Sequence, residues 1–186
     1  MIGMYLAERF SPGVFLPLAL VIAAAASGGT VHGARLGMDA AFALLLLAQF
    51  RSWDDLADRG RDGVAHPERA LVRTTSIAPI VAFTGALAIL NICFAVQRDA
   101  SGLAVSVLVA LIGILGAWYS LRTQRTAAGD ILLLSKYPAM VLVVAGDRVL
   151  SAPMEVLSAA LALHLAASLY EAWHDPAGPL SIGGHR

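Results

Sequence analysis

Apolar residues in this chain gather into long windows separated by short charged stretches, a pattern that predicts helices crossing a bilayer rather than a half-exposed soluble fold. Six windows stand out, at residues 12–26, 36–50, 77–96, 103–121, 132–145 and 154–173. Each approaches the roughly 20 residues a helix needs to span a hydrocarbon core, the first and fifth being the shortest. The expected fold class is therefore all-α: an integral membrane bundle of six transmembrane helices, with residues 1–186 forming one domain. Gly28-Gly29 and Pro67 mark turns, and no internal repeat or long linker divides the chain.

Composition agrees with the pattern. With 58% hydrophobic and 14% charged residues and a mean hydropathy of +0.73, the chain is too apolar for a soluble domain with a solvated surface. Glu8 and Arg9 precede the first window, which runs on past Pro17 with no polar domain after it, so that window reads as a retained helix rather than a signal peptide. Cys93 is the single cysteine and is expected to pack as a small apolar residue. A formal net charge of zero gives no basic excess, so nucleic acid is not an expected partner.

Basic residues set the orientation. Arg51, Arg59, Arg61, Arg69 and Arg73 follow the second window, and Arg122 and Arg125 follow the fourth, with Lys136 just beyond. The alternate connections hold only Arg35, Arg98 and Arg148. The positive-inside rule then places both termini and the two basic loops in the cytoplasm, in the inner membrane of a cell.

At the cytoplasmic end of the second window stand Asp54, Asp55, Asp58 and Asp62. If the helix continues through them, Asp55, Asp58 and Asp62 share a face. Grouped carboxylates repel one another unless something cationic binds. Mg²⁺, which prefers oxygen and commonly bridges one or two carboxylates to substrate phosphates, suits such a ladder. The plainer alternative is a solvated helix end whose acids pair with Arg59 and Arg61. Pro67 pushes His66 toward extended geometry, so the ladder helix is expected to end before it. Arg51, Arg69, Arg122, Arg125, Lys136 and Tyr137 are candidates to bind a diphosphate, or else to snorkel and anchor to lipid head groups.

Other polar residues have simpler readings. Asp39 is expected to pair with Arg35 four residues before it, and Asp147 with Arg148 in a self-contained outer turn. His164 reads as a helix-packing group. His32, His174 and His185 have no zinc-ligand spacing with one another or with Cys93. A CDP-alcohol phosphotransferase is excluded on spacing, since Asp62-Gly63-Val64-Ala65-His66 keeps only the Asp-Gly of that family's pattern.

The stretch Arg51-Ser52-Trp53-Asp54-Asp55-Leu56-Ala57-Asp58-Arg59-Gly60-Arg61-Asp62 resembles the first Asp-rich motif of the UbiA superfamily of intramembrane prenyltransferases, Asn-Asp-x-x-Asp-x-x-x-Asp, with Asp54 in the Asn place. His66-Pro67-Glu68-Arg69-Ala70-Leu71 is similar to the Arg-Pro-x-Arg-Pro-Leu that follows it, with His66 for Arg and Ala70 for Pro. Trp118-Tyr119-Ser120-Leu121-Arg122 is similar to the turn closing the family's fourth helix.

The resemblance implies a UbiA-like bundle with a cytoplasm-facing cavity. There Mg²⁺ on the aspartates would hold a polyprenyl diphosphate, whose prenyl group passes to an aromatic or quinone-precursor acceptor. Phe15, Phe42, Phe83 and Phe94 are available to line the tail site. Family members carry more helices and a second Asp-x-x-x-Asp motif, which is absent here. Glu171 and Asp175, four apart in Tyr170-Glu171-Ala172-Trp173-His174-Asp175, are the nearest substitute for it as metal ligands. Two functions follow as expectations. One is a reduced Mg²⁺-dependent prenyltransferase; the other is a non-catalytic relative that binds an isoprenoid or other lipid, or acts as an assembly subunit. A second copy in a homodimer would complete the cavity wall.

Overall fold

The computed structural model describes residues 2–29, 33–174 and 179–180, and among them it contains helices and turns but no strand. A short helix α1 (Ile2–Arg9) leads into α2 (Pro12–Ala25), and α3 (Gly33–Ala65) is the longest element. A single turn, α4 (Ala70–Arg73), precedes α5 (Ala78–Arg98) and α6 (Leu103–Leu121). Then come α7 (Ala127–Leu134), α8 (Lys136–Ala145), the turn α9 (Arg148–Ser151) and α10 (Pro153–His174). Five spans, counting α7 and α8 together, are long and apolar enough to cross a membrane, and α1 with α2 makes a sixth if that pair, bent by 71°, is one span.

The apolar half of α3 forms the centre. Phe42, Ala43, Leu46, Leu47 and Phe50 are buried against Ala19, Ile22 and Ala26 near or on α2, against Leu108, Leu111 and Leu115 of α6, and against Met140, Val141 and Val144 of α8. Small side chains let α2 approach α3 closely, as packing in lipid favours where no hydrophobic force drives helices together. The outer helices keep one face outward: Leu157, Leu161, Leu165 and Leu169 form an exposed stripe at four-residue spacing along α10, the expected lipid face. Cys93 likewise lies on the exposed side of α5 rather than packed inside.

Two local features follow directly from sequence. Pro138 has no N–H to give the carbonyl four residues before it, and the helix breaks there into α7 and α8, with Ser135 Oγ donating to the Leu132 carbonyl at 2.6 Å. Gly28 has φ +62°, and a Cβ there would come within 3.1 Å of Ala152, so glycine serves both the turn after α2 and the close approach of α10.

Polar groups hold the interior of the α3–α5 contact. Asn91 donates to Gln49 Oε1 at 2.8 Å and to the Leu45 carbonyl at 3.2 Å, and Thr84 donates to Ser52 Oγ at 2.9 Å. At the end away from the ladder, Asp39 is fully buried between Arg98, at the end of α5, and Arg148, at the start of α9. Arg35 is not the partner expected from helix spacing. Two arginines brought by tertiary packing reach the carboxylate instead, Arg148 at 2.7 Å. The same contact separates Arg148 from Asp147, which accepts from the backbone N–H groups of Ala100 at 3.0 Å and Ser101 at 3.1 Å.

Candidate functional site

α3 runs on without a break through the ladder and stops at Ala65, two residues before Pro67. At about 100° of turn per residue, Asp54, Asp58, Asp62 and Asp55 fall within roughly a 100° arc of its surface, so all four front one space. That space is a cavity of about 780 Å³ between α2, α3, α7, α8 and α10. Val14, Phe15 and Leu18 of α2, Leu47 and Phe50 of α3, Leu133, Leu134, Met140, and Leu163 and Ala167 of α10 make its apolar wall. Its polar end carries six carboxylates, Asp54, Asp55, Asp58, Asp62, Asp130 and Glu171, and seven cations, Arg9, Arg51, Arg61, Arg69, Arg122, Arg125 and Lys136. Of the aromatics considered for the tail site only Phe15 lines the cavity, while Phe42 packs on Phe94 at 5.9 Å and beneath Arg98.

Each ladder carboxylate already has a cationic partner from another part of the fold. Asp54 takes the Lys136 ammonium and the Tyr119 hydroxyl. Asp55, almost wholly buried, is held at both oxygens by Arg9, at 2.5 and 2.9 Å, and accepts from Tyr5 Oη at 2.9 Å, with Arg51 at 3.4 Å. Asp58 pairs with Arg61 and with Arg122, whose ring neighbour is Tyr119, 4.8 Å from the guanidinium carbon. Asp62 pairs with Arg69 at 2.5 Å. The ladder thus fastens α1, the loop before α4, the end of α6 and the start of α8 to one face of α3.

The structure brings every expected site residue it describes to this cavity: Arg51, Asp54, Asp55, Asp58, Asp62, Arg69, Arg122, Arg125, Lys136, Tyr137 and Glu171. Glu171 meets Arg125 at 3.4 Å. Asp175, like His32 and His185, lies outside the described residues. In donor type the acids suit Mg²⁺, but their arrangement does not. Among the described residues no three carboxylate, imidazole or thiol groups converge as metal ligands, because the ladder oxygens are turned to separate cations.

Sequence reasoning overlooked three contributors. Arg9 and Tyr5 belong to α1, whose packing against Leu71 and Ile80 depends on the 71° bend before α2. Asp130 is buried, takes Arg125 at 2.9 Å and lines the cavity. A local signal for it existed: Thr126 caps α7 by accepting from the Gly129 N–H at 3.1 Å, which puts Asp130 in the first helical turn, where an acid is favoured. Gly129 is required there because a Cβ would run into the Trp118 ring.

One carboxylate outside the spans is strongly shifted. The Asp147 carboxyl is held down at about 2 by a hydrogen bond shared with the Asp99 carboxyl and by those from Ser101 and Ala100. It stands at the opposite end from the ladder, just before α9, and tethers the turn that precedes α6.

Comparisons with protein-family models, with curated proteins and with solved structures returned no match for this chain.

Proposed function

We propose that this chain is a UbiA-like intramembrane protein that takes up a polyprenyl diphosphate or similar amphiphile. The diphosphate would sit among the arginines and lysine of the ladder, with its tail along the apolar wall. One observation carries this reading: a single cavity of about 780 Å³ joins a dense charged mouth to a wall of aliphatic and aromatic side chains. That size is typical of sites that enclose a small ligand, and the joined linings match a molecule with an anionic head and an apolar tail. In this reading the polar mouth faces the cytoplasm, as the distribution of basic residues suggests.

The test is thermal unfolding of the purified protein with prenyl diphosphates. At 100 times its dissociation constant a ligand specific for the folded state adds about 2.7 kcal/mol, enough for a clear rise in Tm. No rise with any prenyl diphosphate would refute the reading.

A second reading, Mg²⁺-dependent transfer of the prenyl group to an aromatic or quinone-precursor acceptor, is favoured by the placement of Asp54, Asp55, Asp58 and Asp62 on one cavity wall. It requires those acids to leave their present partners. Labelled prenyl diphosphate with Mg²⁺ and aromatic acceptors should then yield a prenylated product that Asp58→Ala abolishes. Absence of product across acceptors would leave binding alone.

A further inference from the structure

We propose that the aspartates of α3 serve as internal counter-ions, parking the site's cations until an anionic head group takes them over, so that the head group binds without a divalent metal. This rests on the amphiphile-binding reading and specifies how that same site is regulated.

The geometry of the pairs is the first support. Lys136, Arg122 and Arg69 all line the cavity, and each is held by a different ladder acid: Asp54, Asp58 and Asp62 respectively. The Lys136 and Arg122 side chains are only 12% and 9% exposed, so a bare cation at either position would be poorly solvated before a ligand arrives. A carboxylate beside it removes that penalty. The second support is charge: cations exceed carboxylates by one around the cavity, so the mouth carries a small positive excess that favours an anionic head group able to use the donors now pointing at acids. A third observation is a donor that the ion pairs leave unused. Arg51, which also lines the cavity, has a buried Nε–H with no acceptor, a donor left over in a wall where buried donors are normally satisfied.

A metal centre would need the opposite arrangement. Oxygens from several acids would have to turn toward one point, and the cations would have to lie behind the phosphate rather than on the acids. The two arrangements predict opposite signs for one substitution. If Asp58 is a metal ligand, Asp58→Asn weakens head-group binding. If Asp58 competes for Arg122, Asp58→Asn strengthens it. Asp58 is partly exposed, at 38%, so its neutral isostere should fold.

The experiment is calorimetric titration of the full chain in lipid nanodiscs with farnesyl diphosphate, inorganic diphosphate and farnesol, each with Mg²⁺ or with EDTA. The wild type should bind farnesyl diphosphate with dissociation constants within about twofold in the two buffers. Asp58→Asn should tighten that binding by roughly twofold to fivefold, the range for losing one partly screened competitor. Asp62→Asn, acting through Arg69, should move it the same way, and Arg122→Gln should weaken it.

Binding that EDTA abolishes, or an Asp58→Asn affinity that falls or stays level, would overturn the counter-ion proposal while leaving amphiphile binding intact. Farnesol binding as tightly as its diphosphate would overturn it too, since the head group would then add nothing. Inorganic diphosphate matching the prenyl ester would support the cation exchange and refute the role of the apolar wall. No binding of either diphosphate by any variant would refute the amphiphile reading itself.

Discussion

The two ends of this bundle use the same chemistry to different ends. At one, Asp39 is enclosed by Arg98 and Arg148, with the Phe42 ring under Arg98 and the Arg148 guanidinium also donating to the Ala145 and Val144 carbonyls. At the other, six acids and seven cations surround open space. The first set is closed: its carboxylate is fully buried and no solvent or ligand reaches it. The second has pairs of comparable length but room beside them. An ion pair with no space around it holds helices together, whereas one fronting a cavity leaves its groups able to change partners.

The strongest way to break that comparison is to remove the closed carboxylate. Asp39→Ala leaves two guanidinium groups facing each other in a buried site, and it should destabilise the fold by about 3–5 kcal/mol, read as a loss of Tm in detergent. Asp58→Asn at the open end should change stability by less than about 1 kcal/mol. Equal losses at the two positions would erase the distinction.

Arg9→Ala sharpens the contrast within the open end. It strips the buried Asp55 of its two-point partner and should lower stability by about 1–3 kcal/mol. Because Arg9, Tyr5 and the Glu8 contact to the Ala70 N–H fasten α1, amide hydrogen exchange should accelerate across residues 2–9 and stay unchanged in α6. Uniform acceleration would mean that the pair supports the whole bundle.

The smallest effect belongs to the closed end. Asp147 has a folded-state value near 2, below that of the unfolded chain, so its contribution is present above the ordinary carboxylate value and is lost as pH falls from about 4 through about 2. Asp147→Asn should flatten the acid limb of a stability profile over that window. An unchanged limb would show that the Asp147 bonds to Ala100 and Ser101 do not contribute to holding the turn before α6.

The legible part of the site and the hidden part differ in reach. Asp54 to Asp62 stand in one helical stretch, so their common face follows from 3.6 residues per turn, and Pro67 announces where that helix stops. The partners do not share that local geometry. Arg9 lies 46 positions from Asp55 and Lys136 lies 82 from Asp54. No periodicity links such pairs. Asp39 makes the same point from the other side: spacing offers Arg35, but the folded chain supplies Arg98 and Arg148. Asp147 and Arg148 are neighbours in sequence that turn to different partners.

By itself the sequence determined that the chain is helical, that it has spans long and apolar enough for a membrane, and that acids and bases concentrate at particular span ends. Those properties depend on composition and on the 3.6-residue repeat, and both are local. Only the tertiary structure decided which acid meets which base, that α1 folds back onto the ladder, and that a cavity remains between α2 and α10. Those depend on how helices far apart in the chain pack, and the energy of an ion pair is set by the burial and company that packing creates.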